Sequence, residues 1–202
     1  MKTLVRLGLI LIFLSSCASY MDSFTEIEKP IEYYTPEFLN GFEENSFKIS
    51  IEAYGNHFGG ILAVKKLDEN HFRFAFLNEF GGKMLDFELI EQKLKLHYAI
   101  EALNRKAILR LLETDFNLLF HENNPILNAF QAEQFLVLNA EINQKPVYYF
   151  LENNRLQKTI STGRNKEKTR LEYRYDSPEF PEVVISHQNF KIKIYLHLLN
   201  KN

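Results

Sequence analysis

The position of the chain's single cysteine, Cys17, predicts chemistry more directly than that of any other residue. Lys2 and Arg6 lie near the N-terminus, an apolar run extends from Leu7 to Leu14, and two serines separate this run from Cys17. A positive start, a short apolar stretch and small residues, in this order, are typical of a secretory signal peptide. The apolar run is too short for a transmembrane anchor, since spanning a bilayer takes ~20 apolar residues. The sequence therefore predicts export.

The end of this segment, Leu14-Ser15-Ser16-Cys17, resembles the end of a bacterial lipoprotein signal. In that class the precursor is cut before the cysteine, which is then acylated. The resemblance implies a signal peptide over residues 1–16, a lipidated Cys17 and a mature chain held on a membrane by its lipid. Because no second cysteine exists, the mature chain has no disulfide and no thiol nucleophile.

The other residues of catalytic type show no pattern typical of an active site. The histidines at positions 57, 71, 97, 121, 187 and 197 include no i,i+4 pair and have no cysteine partners, so no metal site is expected. Asp86 and Glu88 share one face of a predicted strand and could mimic a paired acid, but a solvated strand face is the commoner arrangement. Gly59-Gly60 and Gly81-Gly82 do not match a phosphate-binding loop. The sequence therefore predicts neither an enzyme nor a cofactor.

Aromatic residues are unusually frequent, with 18 Phe and 10 Tyr, whereas Trp is absent and only 8 residues are Gly. This composition favours a β-rich body with a large apolar interior. The formal net charge is −2, and no block of like charges stands out. Neither nucleic acid nor an anionic membrane surface is therefore indicated as a partner.

Residues 17–45 are predicted to be a lipidated tether and lead-in, because they show no clean period and contain Pro30 and Pro36. Four aromatic residues in this segment could form a short helix that packs on the body. They are Tyr33, Tyr34, Phe38 and Phe42.

From Ser46 onward, apolar residues alternate with polar ones, which is the pattern of half-buried β-strands. This pattern predicts about eleven antiparallel strands in a single domain over residues 46–202. The predicted strands are 46–53, 59–67, 71–77, 84–89, 93–98, 135–138, 146–151, 155–161, 166–175, 183–187 and 190–198.

Helical spacing replaces alternation between the fifth and sixth predicted strands. From Glu101 to about Phe120, apolar residues recur at intervals of three and four. Asn124-Pro125 looks like a helix cap followed by proline at the first helical position, so a second short helix is predicted to end at about Glu133. A sheet of this size must curl to bury its apolar side, and the inserted helices can cover it. Whether the helices fill the interior or leave a cavity stays open.

Two segments resemble the LolA/LolB superfamily of lipoprotein carriers and receptors. In the first, Phe72 to Leu89, an aromatic-Arg-apolar strand ends in Asn78-Glu79-Phe80-Gly81 and an alternating strand follows. The second, residues 181–185 and 191–194, resembles the closing hairpin of the family. The resemblance implies a mainly β fold, a half-open antiparallel β-barrel with a helical lid, whose members bind lipoprotein acyl chains. A lipid anchor makes this chain closer to the LolB-like outer-membrane receptors than to the carriers.

Such a barrel needs apolar walls and no chemistry, because each buried acyl methylene contributes ~0.8 kcal/mol. The predicted cavity walls are Phe47, Ile49, Ile51, Phe72, Phe74, Phe76, Leu85, Phe87, Leu89, Leu94, Leu96, Ile192, Ile194 and Leu196. The predicted lid residues are Leu103, Ile108, Leu111, Leu112 and Phe116.

The turn after the third predicted strand is the predicted membrane-transfer loop. In LolB-like receptors the turn Asn-Pro-Leu-Gly presents a leucine that hands cargo to the membrane. Here Asn78 and Gly81 match that turn, Phe80 replaces the leucine and Glu79 replaces the proline. A large aromatic side chain exposed at a turn tip is typical of contact with lipid or a partner. The alternative is that Phe80 folds back onto the barrel rim.

The resemblance thus implies a periplasm-facing outer-membrane lipoprotein, anchored through Cys17, that binds acylated lipoprotein or another lipid. A periplasmic LolA-like carrier is the implied protein partner. The alternative is a structural or sensory envelope lipoprotein with a closed core, whose edge or loops bind a protein. An open apolar cavity favours the first function, and a barrel filled by its own side chains favours the second.

Overall fold

A computed structural model describes residue 20, residues 24–175 and residues 180–199 of the chain. Within these ranges the chain forms fifteen strands, one α-helix and a short 3-10 helix. The strands are β1 Thr25–Ile27, β2 Tyr33–Tyr34, β3 Glu44–Ala53, β4 Asn56–Asp68, β5 His71–Asn78, β6 Lys83–Ile90, β7 Lys93–Ala99, β8 Asn124–Pro125, β9 Asn128–Ala132, β10 Phe135–Ile142, β11 Lys145–Glu152, β12 Arg155–Gly163, β13 Lys166–Arg174, β14 Glu182–His187 and β15 Ile192–Leu198. The 3-10 helix is Glu37–Leu39 and the α-helix, α1, is Lys106–Phe120.

Thirteen strands form one antiparallel sheet in the order β1-β9-β10-β11-β12-β13-β14-β15-β3-β4-β5-β6-β7, and β2 pairs separately with β8. Hairpins build the two halves of the sheet. The halves join where β15 pairs with β3, with Ile194 opposite Ile51. The prediction of a mainly β chain with one large antiparallel sheet is therefore confirmed.

The sheet curls around α1 without closing. Its edge strands, β1 and β7, do not pair with each other in the described part of the chain. The curl brings the β6–β7 turn to the β10–β11 turn, where the Asn143 backbone N–H donates to Oε1 of Gln92 at 2.8 Å. The Asn117 side-chain amide of α1 donates to the Gln92 carbonyl at 2.9 Å. This arrangement is consistent with a half-open barrel.

Aromatic rings fill the space between α1 and the concave face of the sheet. Phe74 of β5 stacks on Phe87 of β6 with centroids 4.7 Å apart, and Phe116 of α1 lies 4.9 Å and 5.6 Å from these rings. Phe120, at the end of α1, lies 5.3 Å from Phe74. Residues two apart in a strand point to the same face, so the alternating sequence supplies this layer of rings.

The predicted strand count and the predicted second helix are both wrong. The structure adds four short strands to the eleven predicted ones, with β1 and β2 in the predicted lead-in and β8 and β9 where the helix over residues 124–133 was expected. Pro125 pairs with Tyr33, and β9 pairs with both β1 and β10. These pairings override the local capping signal, which is a weak preference. The lid is therefore one helix, and it begins at Lys106 instead of Glu101.

Two aromatic residues, Tyr98 and Phe190, are exposed although alternation in the predicted strands 93–98 and 190–198 places them on the apolar face. A β-bulge in the β6–β7 pairing, between Asp86 and Phe87, shifts the register, so that Tyr98 is exposed. Phe190 was predicted to begin the last strand, but β15 begins at Ile192 and Phe190 lies in the preceding turn, half exposed.

Much of the predicted lead-in packs against the body. Phe38 is buried in the main core with its ring centroid 4.7 Å from that of Phe180. On the convex face of the sheet, Tyr20 lies 5.5 Å from Tyr148 between ring centroids, and Phe24 packs on the same outer cluster. The chain is thus held against the sheet only three positions after Cys17, which itself lies outside the described residues.

Gly60 of β4 provides a test of how closely β4 and β5 approach. A Cβ added at Gly60 would collide with the backbone carbonyl oxygen of Leu77. We expect Gly60→Ala to lower the free energy of unfolding by ~1–3 kcal/mol, because backbone atoms must shift to relieve the overlap. Gly163→Ala is the matched control, since its added Cβ meets the flexible Lys168 side chain. Chemical denaturation measures both variants, and equal stabilities would contradict the prediction.

Candidate functional site

The β5–β6 turn holds Phe80 in solvent, where it is 96% exposed. Oδ1 of Asn78 accepts hydrogen bonds from the backbone N–H groups of Phe80, at 3.0 Å, and Gly82, at 2.8 Å. Gly81 has a φ of 78°, in the left-handed region that favours glycine. Asn78 and Gly81 therefore shape a turn that keeps Phe80 away from the sheet, and Phe80 does not fold back onto the barrel rim.

The predicted wall residues lie together on the concave side of the sheet. All are buried except Leu94 and Leu96, which are half-buried on the edge strand β7 and pack against the same core. A closed acyl-binding site and a filled core would both bury these side chains. Their burial therefore locates the candidate site without identifying its occupant.

The predicted lid residues divide between the two halves of α1 and the loop before it. Leu103, in that loop, is buried, as are Leu112 and Phe116 of α1. Ile108 and Leu111 are only half-buried and pack against the core from the N-terminal half.

Burial along α1 is uneven. Every residue from 115 to 120 is buried, whereas Lys106, Ala107 and Arg110 are exposed. The C-terminal half of α1 is thus a core element. The N-terminal half could move at a lower cost in buried surface, as expected of elements that open locally.

A buried pair, Asp115 and His187, fastens α1 to the β14–β15 hairpin. Nε2 of His187 lies 2.9 Å and 3.0 Å from the two carboxylate oxygens of Asp115, and Nδ1 lies 3.2 Å from the Ile192 carbonyl oxygen. Both ring nitrogens face acceptors, so the doubly protonated ring satisfies both hydrogen bonds.

The pKa values of Asp115 and His187 are both raised, so the pair tends to keep the proton that lies between the two side chains. Burial raises the pKa of Asp115, against the opposing effect of His187. Burial alone would lower the pKa of His187, but the hydrogen bond to Asp115, the negative charge of Asp115 and the hydrogen bond to the Ile192 carbonyl together outweigh it, and the pKa is raised. The pair is 72 positions apart in sequence and matches no motif, so sequence reasoning missed it.

The prediction that Asp86 lies on a solvated strand face is wrong. Asp86 is 4% exposed and accepts hydrogen bonds from Nε of Arg73 at 3.2 Å and Nζ of Lys83 at 2.8 Å. Burial alone would raise the pKa of Asp86, but these hydrogen bonds and the positive charges of Arg73 and Lys83 together outweigh it, and the pKa is lowered. Asp86 is therefore held ionised, which is unlike a general acid.

Glu88 is likewise covered, by two histidines on neighbouring strands. Nε2 of His71 lies 3.2 Å and Nε2 of His97 lies 2.8 Å from its carboxylate oxygens. Burial would raise the pKa of Glu88, but these two hydrogen bonds lower it. Among the described residues, no group of three or more His, Cys, Asp or Glu side chains is arranged to hold a metal ion.

No α-helix in the described ranges has the length and apolar character needed to cross a membrane. The predicted lipidation site, Cys17, lies outside those ranges, so acylation remains a prediction from sequence.

No protein-family model matches the sequence, and no curated protein matches it significantly. Among solved structures, a LolA superfamily protein from Nitrosomonas europaea superposes with a TM-score of 0.50 and 9% identity over 86% of this chain and 87% of that chain. A domain assigned to outer-membrane lipoprotein sorting, from Vibrio parahaemolyticus, gives a TM-score of 0.46 and 9% identity over 78% of this chain and 83% of that chain. A DUF1329 family protein from Desulfovibrio piger gives a TM-score of 0.45 and 7% identity over 78% of this chain and 83% of that chain. The first superposition shows that this chain has a LolA/LolB-like fold.

Proposed function

We propose that this chain is a membrane-anchored lipoprotein that binds acyl chains between the concave face of its sheet and α1. The observation that carries the proposal is the layer of apolar side chains that a LolA/LolB-like fold places beneath a single helix. The cargo is an acylated lipoprotein or another lipid, and the reaction is transfer without covalent chemistry.

Binding requires part of the internal packing to be exchanged for lipid. Phe74, Phe87 and Phe116 contact one another directly, so an acyl chain must displace rings or lift the N-terminal half of α1. Burying ten methylenes contributes ~8 kcal/mol. This gain is comparable to the ~3–5 kcal/mol contributed by each of two buried phenylalanines. The free energy gained by burying a lipid chain is therefore similar to the free energy lost by displacing two internal rings. This balance suits a protein that must also release its cargo.

The same proposal assigns roles to the lipid anchor at Cys17 and to the turn that carries Phe80. Lipidated Cys17 holds the chain on the periplasmic side of the outer membrane, and a LolA-like carrier supplies the cargo. Phe80, exposed at the β5–β6 turn, contacts the membrane during handover. An exposed aromatic side chain at a turn tip gains most when it meets lipid or a partner.

A second function is favoured by a specific observation. The rings of Phe74 and Phe87 stack at 4.7 Å beneath α1, as they would in a permanently closed core. In that case the chain is a structural or sensory envelope lipoprotein that binds a protein partner through its sheet edge or loops.

Native mass spectrometry distinguishes these two functions. The chain beginning at Ala18 keeps every residue of the described fold and lacks the lipidated cysteine. We expect it to carry co-purified lipid and, after delipidation, to bind a triacylated lipopeptide in a one-to-one complex. Absence of both the lipid and the complex would overturn the acyl-binding function and support the closed-core alternative.

Cys17→Ser tests the membrane anchor. Because Cys17 is the chain's only thiol, we expect this variant to leave the membrane fraction or to accumulate as uncut precursor. Labelling cells with radioactive palmitate should mark the wild type and not the variant. A wild-type chain that incorporates no palmitate would contradict the lipoprotein assignment.

A further inference from the structure

A cleft of about 390 Å³ lies between the N-terminal half of α1, the start of β11 and the β14–β15 turn. Its apolar surface comes from Ala107 and Leu111 of α1 and from Phe190, which is 50% exposed. The volume is within the range of small-molecule sites, which bury a ligand in a mostly apolar concavity. An exposed phenylalanine beside such a cleft presents apolar surface that a ligand could cover.

Besides His187, which is paired with Asp115, three cationic side chains border this cleft: Arg110, Lys145 and Lys168. In the described part of the chain, none of the three forms an ion pair. The acidic residue of the cleft, Asp115, is fully buried and already paired with His187. The cleft therefore offers unpaired positive charge beside apolar surface.

Lys168 is the cation most specific to this cleft. Arg110 and Lys145 also border a neighbouring polar groove, which contains Glu113 and Glu141. Lys168 does not border that groove, and its aliphatic stem packs beside Gly163. A positively charged group at this position is complementary to a ligand's negative charge.

The cleft also lies beside the loosely packed half of the lid. Ala107 is exposed and Leu111 half-buried, whereas every residue of α1 from 115 onward is buried. A chain lying along Leu111 would therefore contact the least buried part of α1. The cleft thus combines charge for a headgroup with apolar surface for a tail.

We propose that this cleft binds a single-chain amphiphile with an anionic headgroup, a carboxylate or a phosphate. Lys145 and Lys168 hold the headgroup, and the apolar chain lies along Leu111 and Phe190. This inference rests on the proposed acyl-binding function and adds headgroup selectivity to it.

Calorimetric titration of the chain beginning at Ala18 with dodecanoate, dodecyl phosphate and dodecanol tests the inference. We expect at least one anionic probe to bind about tenfold more tightly than dodecanol, the effect of one charge-assisted hydrogen bond. Lys145→Glu/Lys168→Glu should abolish this preference and leave dodecanol binding unchanged. Lys48→Glu/Lys193→Glu, on exposed positions of β3 and β15, is the charge-matched control and should keep the preference.

Each outcome has a distinct meaning. Preference for dodecanoate or for dodecyl phosphate assigns a carboxylate or a phosphate headgroup, respectively. If all three probes bind equally, or if both double variants lose the preference equally, the headgroup site in the cleft is overturned. The proposed acyl-binding function is then unaffected. Failure of every probe and of the triacylated lipopeptide to bind would overturn the proposed function as well. Circular dichroism checks folding, and Lys168→Gln, which should weaken the preference without reversing a charge, replaces the double variant if that variant unfolds.

Discussion

Phe74→Ala is expected to lower the free energy of unfolding by ~3–5 kcal/mol, the cost of deleting a fully buried phenylalanine ring. Phe74 has 0% exposure and lies within 5.3 Å, between ring centroids, of Phe87, Phe116 and Phe120. Truncation therefore leaves a cavity at the contact between the sheet and α1. Urea denaturation followed by circular dichroism measures the effect.

Phe80→Ala is the matched control for this measurement. The same deletion at a 96% exposed side chain should change stability by less than ~0.5 kcal/mol. Similar stabilities of the two variants would show that the ring layer is not a core element. Phe74→Asp, which places an unpaired carboxylate among the rings, should abolish lipopeptide binding or folding altogether.

Phe80→Glu is expected to block cargo delivery while leaving the fold and cargo binding intact. A glutamate at this tip costs little stability, because the side chain makes almost no contact in the folded chain. It removes the apolar surface that meets the membrane and adds a negative charge there. We expect transfer of a labelled triacylated lipopeptide from the chain to liposomes to slow at least about tenfold.

Leu67→Glu is the control for charge and lost apolar surface. Leu67 is also exposed, but it lies beside the β4–β5 turn, at the opposite end of β5 from Phe80. This variant should deliver cargo at the wild-type rate. A large loss of stability in Phe80→Glu would show that Phe80 is structural, and unchanged transfer would show that the chain does not use this turn for handover.

Alternation along the chain was sufficient to predict eleven of the fifteen strands, because side chains two apart must share a face of a strand. The same reasoning placed Phe74 and Phe87 on one apolar face, and the match of Asn78 and Gly81 to the turn of the LolA/LolB superfamily predicted the turn that carries Phe80. These features depend on a few neighbouring residues, so sequence alone determined them.

Tertiary structure decided what depends on residues far apart. Strands of two to five residues such as β8 and β9 form through partners in β2, β1 and β10, which is why Asn124-Pro125 became strand and not helix. The β6–β7 bulge moved Tyr98 to solvent. The curl of the sheet joined Asp115 to His187 and set Lys145 and Lys168 beside Leu111. No local pattern encodes these contacts, because each depends on residues far apart in sequence that meet only when the sheet has curled around α1.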